Sequence, residues 1–469
     1  MRKVSPLKTR FFVKRSSFPV AVSELFAWHQ RPGALERLSP PWNPVRVLAR
    51  SGGIETGAEA LLRVRIGPLP VTWRARHLDY EKDRRFCDQQ LRGPFKLWRH
   101  THLFEPIDAH RSILEDRIEY ALPGPALVTR LGGRRVETSL ERVFRYRHQT
   151  LAADLETIFR YRSRPLRIVV SGASGVLGSA LVPFLGCAGH RVIRLVRGSV
   201  RDPLSEAAWD PDAGRLDPGI FNGVDAVIHL CGENIGRGRW TAVKKQRIID
   251  SRVRSTQLLA ATLSRLQAPP PVLLSASAIG YYGDRGSSIL LEDAGCGRDF
   301  VSEVCARWEQ ATAPARECGG IRVVQLRIGV VLTPRGGALA QMLPVYRLGL
   351  GGPIGDGRQF ISWIHVDDLV GAIYHALFTP ELTGPVNVGA PAAGRQQDFA
   401  ADLAVVIGRP ARLRLAPTLI RTCYGQKGEE ILLAGTRVFP RKLLQTGYRF
   451  RYPELRSALR HLLGLPLPR

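Results

Sequence analysis

The stretch Ile168-Val169-Val170-Ser171-Gly172-Ala173-Ser174-Gly175-Val176-Leu177-Gly178 constrains this chain more than any other. A short β-branched run leads straight into Gly-x-x-Gly-x-x-Gly, and a helical pattern of Leu181, Val182 and Leu185 follows. That order predicts a strand, a tight turn and a helix. Glycine lets the backbone turn sharply and approach an anion closely, while the helix N-terminus faces it with unpaired N–H groups. The glycine heptad alone is a weak signal. A second apolar strand at Arg191–Val196, at the distance a βαβ unit requires, makes it a strong one. Gly172, Ala173, Ser174, Gly175, Val176, Leu177 and Gly178 are therefore expected to cradle a dinucleotide pyrophosphate.

With 469 residues the chain is too long for one ordinary core, so two or three domains are expected. The only apolar stretch in the first thirty residues is broken by Lys14, Arg15 and Pro19, which fits neither a signal peptide nor a membrane span. Seven scattered cysteines without a Cys-x-x-Cys pair point to a reducing, cytoplasmic setting, and no metal site is expected. The net charge of +27 raises the question of a nucleic-acid partner. Residues 1–163 carry 30 basic and 17 acidic side chains and the remainder 38 and 24, with no basic tail or run. Charge spread in this way reads as a solvated surface.

Residues 1–160 read as one α+β domain. A helix over Val20–Gln30 precedes strands at Val45–Leu48, Leu61–Ile66, Val71–Tyr80, Phe86–Leu91, Leu97–Glu105 and Ile113–Leu122, and a long helix spans Glu137–Arg160. Residues 161–412 alternate strands with helices, at Leu166–Val170, Arg191–Val196, Ala226–Leu230, Val272–Ser275, Val323–Leu326 and Pro385–Val388, with helices over Trp240–Gln267 and Phe300–Glu317. This predicts a doubly wound parallel sheet with its site at the carboxyl ends of the strands. Residues 413–469 form a small, mainly helical region expected to complete the substrate side.

Further segments carry a family resemblance. They are His229-Leu230-Cys231-Gly232-Glu233-Asn234-Ile235, Gly238-Arg239-Trp240, Lys245-Gln246-Arg247-Ile248, Asp250-Ser251-Arg252-Val253, Ser275-Ala276-Ser277-Ala278-Ile279-Gly280-Tyr281-Tyr282-Gly283, Leu326-Arg327-Ile328-Gly329, Trp363-Ile364-His365-Val366-Asp367-Asp368 and Pro440-Arg441-Lys442-Leu443-Leu444. Through them residues 166–469 resemble the atypical short-chain dehydrogenase/reductase-like proteins of the epimerase family, with their C-terminal domain of unknown function. Residues 1–160 resemble the helix-grip, START-like (SRPBCC) ligand-binding superfamily through Phe18-Pro19, Trp28-His29, Pro40-Pro41-Trp42 and the strand order. That resemblance implies a small-molecule substrate for the nucleotide domain. For the N-terminal one it implies an apolar ligand lined by Phe26, Trp28, Trp42, Trp73, Phe95, Trp98 and Phe104, each of which could equally be plain core.

Cofactor choice follows from charge. An NAD site usually places an acid at the end of the second strand to hold the ribose hydroxyls. Here that strand ends in Arg197, and no acid precedes Asp202, so NADP is favoured over NAD. Cys231, Gly232, Glu233 and Arg327 complete the expected cofactor contacts. Short-chain dehydrogenases use a Tyr-x-x-x-Lys pair for proton exchange. By the resemblance, Val301 stands in the Tyr position, Cys305 in the Lys position and Arg252 where an Asn is usual, while Ser277 (rather than Ser275) keeps the upstream serine. The expected catalytic groups are thus Ser277, Arg252 and Tyr281, with Cys305 a packed thiol and His365 a structural histidine. Two functions remain open at this stage: an NADP-dependent oxidoreductase or epimerase-like enzyme, and a catalytically weak NADP-responsive sensor.

Overall fold

The computed structural model describes residues 9–466 apart from Pro68, so the first eight residues of the expected N-terminal domain lie outside the described residues. Two compact units are present. One holds the described residues up to Arg162 with Pro183–Gly189 and Gly464–Pro466, the other Ser163–Val182 and His190–Leu463.

In the first unit, β1 (Arg10–Phe18), α1 (Val22–Gln30) and a single-turn α2 (Ala34–Arg37) precede six further strands and a long helix. The strands are β2 (Arg46–Ser51), β3 (Glu59–Ile66), β4 (Leu69–Glu81), β5 (Arg85–Arg92), β6 (Leu97–Pro106) and β7 (Ser112–Ala121), and the helix is α3 (Ala126–Tyr161). They form one antiparallel sheet in the order β1-β7-β6-β5-β4-β3-β2. Phe18, Leu25, Phe26, Trp28, Phe86, Phe104 and Leu114 make a common core with Leu151 and Leu155 of α3. Trp73, Phe95 and Trp98 form a half-buried aromatic group, with Trp73 edge-on to Trp98 at 5.1 Å.

Two features of this unit depart from the sequence reading. Residues 10–18, to which the sequence assigns no element, are an edge strand whose charges are paired: Lys14 with Glu141, and Arg15 with Glu105 and Glu115. Charges on an edge discourage pairing with other chains. The long helix begins at Ala126 rather than Glu137, running through Gly132-Gly133, residues that disfavour a helix interior. A Cβ at Gly133 would lie 2.3 Å from the Arg10 guanidinium, so the small residue admits that side chain.

The second unit is built on an eight-stranded sheet. Its elements are β8 (Arg167–Ser171), the first half of α4 (Gly178–Cys187), β9 (Arg191–Val196), β10 (Glu206–Asp210), β11 (Arg215–Leu216), β12 (Ala226–His229), α5 (Ala242–Ser264) and β13 (Val272–Ala278). After β14 (Ile289–Leu290) come α6 (Phe300–Gln310), α7 (Ala313–Glu317), β15 (Arg322–Ile328), β16 (Val330–Leu332), α8 (Gly337–Arg347), β17 (Phe360–Ile361), β18 (Trp363–His365), α9 (Val366–Phe378), β19 (Gly384–Val388), β20 (Gly394–Arg395) and α10 (Gln396–Ile407). The sheet order is β11-β10-β9-β8-β12-β13-β15-β19, parallel except for the β10–β11 hairpin, which the sequence reading did not foresee. Reversal of direction around β8 and β12 is the switch point at which such sheets bind nucleotides.

Buried β-branched and leucine side chains fill its strands, as sheets covered on both faces require. The single helix expected over Phe300–Glu317 is two. Pro314 cannot continue the α6 ladder, and the Thr312 hydroxyl donates instead to the Glu309 carbonyl at 2.6 Å. The C-terminal region is α11 (Pro417–Tyr424), a π-helical turn over Gly428–Leu433, β21 (Arg437–Val438), α12 (Arg441–Gln445) and α13 (Leu455–Leu462). It is stitched to the sheet: Lys442 Nζ donates to the carbonyls of Thr383 at 2.9 Å and Pro385 at 2.8 Å, and Arg441 pairs with Asp293 at 2.8 Å. No described helix is long and apolar enough to cross a membrane.

Candidate cofactor and active site

The turn after β8 has the geometry a phosphate cradle needs. Gly172 has φ +71°, and a Cβ there would lie 2.7 Å from the Leu230 carbonyl carbon. A Cβ on Gly178 would lie 2.4 Å from the Gly172 oxygen, so only glycine lets α4 start this close to the turn. Gly175 is different: it is exposed, and its nearest would-be neighbour is 3.2 Å away. The N–H groups of Ala173, Ser174, Val176 and Leu177 donate to no acceptor among the described residues. Orphan donors at a helix start fit an anion.

Beneath the turn, His229 bridges strands and helix, with Nδ1 2.6 Å from Ser171 Oγ and Nε2 2.9 Å from Thr256 Oγ1. Burial holds this imidazole neutral, down to about 4. The loop after β12 follows. Cys231 is a thiol pushed up by burial, and the Glu233 N–H donates to Ser251 Oγ at 2.9 Å. The Glu233 carboxylate is paired with Lys244, which lowers its pKa, and lies 3.9 Å from Arg247. Arg252 sits against Gly232, whose Cβ would come within 3.1 Å of the guanidinium, and stacks over the Trp308 ring at 5.0 Å. Arg197 stands exposed at the end of β9 with no carboxylate partner among the described residues.

A second cluster lies two strands away. Cross-strand register aligns Ser277, Arg327 and Asn387 in one row. The Ser277 hydroxyl donates to Glu309 Oε1 at 2.7 Å, and Arg327 donates to both oxygens of that carboxylate at 2.8 Å. Arg327 also donates to Tyr282 Oη at 3.0 Å and the Glu292 carbonyl at 3.1 Å, and Tyr282 donates to Asn387 at 2.6 Å. Burial pushes the Tyr282 phenol up to about 12. Tyr281 is half-buried, with the Arg327 guanidinium 3.5 Å from its ring centre. Val301 packs against Gly280, and burial pushes the Cys305 thiol up to about 12, so it carries no thiolate near neutrality. His365 accepts from the Asp367 N–H at 2.9 Å and caps α9.

The structure therefore brings Ser277, Arg327 and Tyr281 into one network. The glycine turn, Cys231, Gly232 and Glu233 gather at the ends of β8 and β12, and Arg197 at the end of β9. Glu309 and Asn387 escaped the sequence reading, and Tyr282, which follows the serine strand beside Tyr281, is held in the structural role of a buried hydrogen-bonded phenol. One signal was available: Val301, Cys305 and Glu309 recur four residues apart, so the acid shares the helix face of the replaced pair.

Residues 168–389 match the NAD dependent epimerase/dehydratase family, residues 416–462 a domain of unknown function (DUF1731) and residues 18–145 the polyketide cyclase/dehydrase and lipid transport family. An epimerase family protein of Mycobacterium bovis is 38% identical over 301 residues, which cover 64% of this chain and 98% of that protein. The chain belongs to the epimerase family. Among solved structures, a nucleoside-diphosphate sugar epimerase from Corynebacterium glutamicum superposes with TM-score 0.78 at 31% identity over 97% of this chain and 90% of that one. Human epimerase family protein SDR39U1, solved with NADPH, superposes with TM-score 0.58 at 35% identity over 64% of this chain and 99% of that one. This epimerase-family chain thus carries an atypical short-chain dehydrogenase fold, the C-terminal domain of unknown function and an N-terminal SRPBCC-like domain.

Proposed function

We propose that this epimerase-family protein binds NADP(H) at the Gly172–Gly178 turn and acts as an oxidoreductase or epimerase on a small molecule. The observation that carries the reading is the exposed turn with its orphan N–H donors, beside an unpartnered Arg197 where an NAD site would hold an acid. Ala173, Ser174, Val176 and Leu177 would hold the pyrophosphate, and Arg197 the 2′-phosphate. When bound, the nicotinamide supplies hydride exchange.

This chain's own residues must then handle the proton. Tyr281 follows β13, is half-buried with a fixed cation against its ring, and is the proposed proton-carrying group. Ser277 is a positioning residue because its proton is committed to Glu309, and Arg252 is a fixed cation behind Gly232. The N-terminal domain would take an apolar ligand at the Trp73–Phe95–Trp98 group. We further assign domains to residues 1–160, 161–412 and 413–469.

One observation favours a second reading, a weakly catalytic NADP-responsive sensor: Val301, Cys305 and Ser277 leave no free phenol–ammonium relay. Two parallel measurements decide between them. NADPH binding followed by calorimetry, with NADPH oxidation by a panel of carbonyl substrates followed by absorbance and interconversion of sugar-nucleotide epimers followed by chromatography, separates an enzyme (binding with either turnover) from a sensor (binding alone). Absence of both contradicts either reading.

A further inference from the structure

The interior of the N-terminal unit holds a polar group that neither the nucleotide site nor an apolar ligand explains. On α3, Leu140, Phe144, His148, Leu151 and Leu155 recur on one buried face, and His148 interrupts an otherwise apolar stripe. The opposing sheet supplies more. Register pairs His77 with Asp88, Asp88 with His100 and His102 with Asp116, so four neighbouring strands place an imidazole or a carboxylate on the same face. His100, Asp116 and His148 are each at least 95% buried, among Phe86, Phe104, Leu114 and Ile118. Placing carboxylates there costs several kcal/mol each, and apolar side chains would serve the fold better.

We propose that Asp88, His100 and His102 form a binding site for one divalent first-row transition ion of the zinc class. Each offers a ligand atom within 4.8 Å of the others. His100 Nδ1 and Asp88 Oδ1 are 3.3 Å apart. That exceeds the ~2.7–2.9 Å of a good charge-assisted hydrogen bond. It equals the separation of two ligands sharing a tetrahedral ion at about 2.0–2.1 Å, which is roughly 3.3–3.4 Å.

The outer groups fit the same assignment. His100 donates its other ring nitrogen, Nε2, to Asp116 Oδ1 at 2.8 Å, the carboxylate–histidine arrangement that aims an imidazole at a metal. Asp116 Oδ1 also lies 2.7 Å from His102 Nδ1, close enough for charge attraction but out of line for a hydrogen bond. Asp116 is fixed in turn by His148 Nε2 at 2.7 Å, and His148 Nδ1 by Ser16 Oγ at 2.8 Å. His77, paired in register with Asp88 on the next strand, has its Nδ1 buried without a hydrogen-bond partner. Asp88 retains 24% side-chain exposure, which provides the entry path. Two imidazoles with one carboxylate suit zinc-class ions, and lack the oxygen-rich set that calcium or magnesium requires.

The test uses the full-length protein stripped with a chelator. Zn2+ is titrated in competition with a chromophoric chelator, and Co2+ serves as the spectroscopic probe. One equivalent of Zn2+ should bind per chain, and Co2+ should give visible d–d bands. Asp88→Asn and His102→Gln should each weaken binding by at least about a hundredfold. His461→Gln should leave it unchanged, since it alters the other buried His/Asp group, His365–Asp367–His461. Failure of the parent protein to take up Zn2+ overturns the proposal. So does unchanged affinity in Asp88→Asn, or loss in His461→Gln instead. If the Asp88 and His102 variants do not fold, cobalt bands that persist in His461→Gln support the site, and bands lost there refute it.

Discussion

The glycine turn after β8 and the Ser277 row on β13 lie close together in one sheet, yet they use their polar groups in opposite ways. The turn and the end of β9 leave four N–H donors and one arginine without partners among the described residues. The Ser277 row leaves almost nothing: serine, glutamate, arginine, tyrosine and asparagine satisfy one another. Free, pre-oriented donors are what an anion site needs, whereas a closed network stabilises a sheet and resists proton exchange. The lesson is that family membership carries over to the two regions unequally. Cofactor binding is read from unsatisfied groups, and those survive here. The Ser277 row offers no such open group.

The closed network can be broken most visibly at Glu309. Arg327 has 3% side-chain exposure, and Glu309→Ala would leave its charge buried and uncompensated. Loss of one partner of a buried pair costs about 3–5 kcal/mol. Chemical denaturation should show a drop of that size. A loss below about 1 kcal/mol would mean that the network is not closed.

His229, under the turn, adds a pH signature. Its folded pKa is about 4 against an ordinary 6.5, so the unfolded chain binds the proton first. The stabilisation is therefore complete above pH 6.5 and disappears as pH falls towards 4, by roughly 3 kcal/mol. Stability measured across that window should fall less steeply in His229→Gln than in the parent. Identical slopes would show that this imidazole is not held neutral.

The turn itself separates fold from function. Gly172→Val and Gly178→Val would strike backbone and destabilise the unit, whereas a Cβ at Gly175 meets only the Gly172 oxygen, at 3.2 Å. Gly175→Val should lower the melting temperature far less than either of these and lose about a hundredfold in NADPH affinity, roughly 2.7 kcal/mol. Calorimetry beside a thermal melt checks both. Intact binding would move the cofactor elsewhere.

How much of this was legible depended on range. The glycine turn, the strand ending in Arg197 and the alternation that follows are local patterns, and they stand in the structure where the sequence reading put them. Edge strand β1 was hidden because its charges are balanced by Glu105, Glu115 and Glu141, all far away in sequence. The start of α3 was hidden by Gly132-Gly133, whose breaking tendency the surrounding contacts override. The Ser277–Glu309–Arg327 network needed three distant segments in register, which no local pattern encodes.

The central claim is that the open region reads a 2′-phosphate while the proton relay beside it is lost. Arg197 tests it most directly, because its substitution touches no part of the closed network. Isothermal titration of NADPH and NADH into the parent and into Arg197→Ala should give at least about a tenfold preference for NADPH, roughly 1.4 kcal/mol, that collapses towards unity in the variant. Equal affinities in the parent, or a preference that survives in Arg197→Ala, would contradict the account.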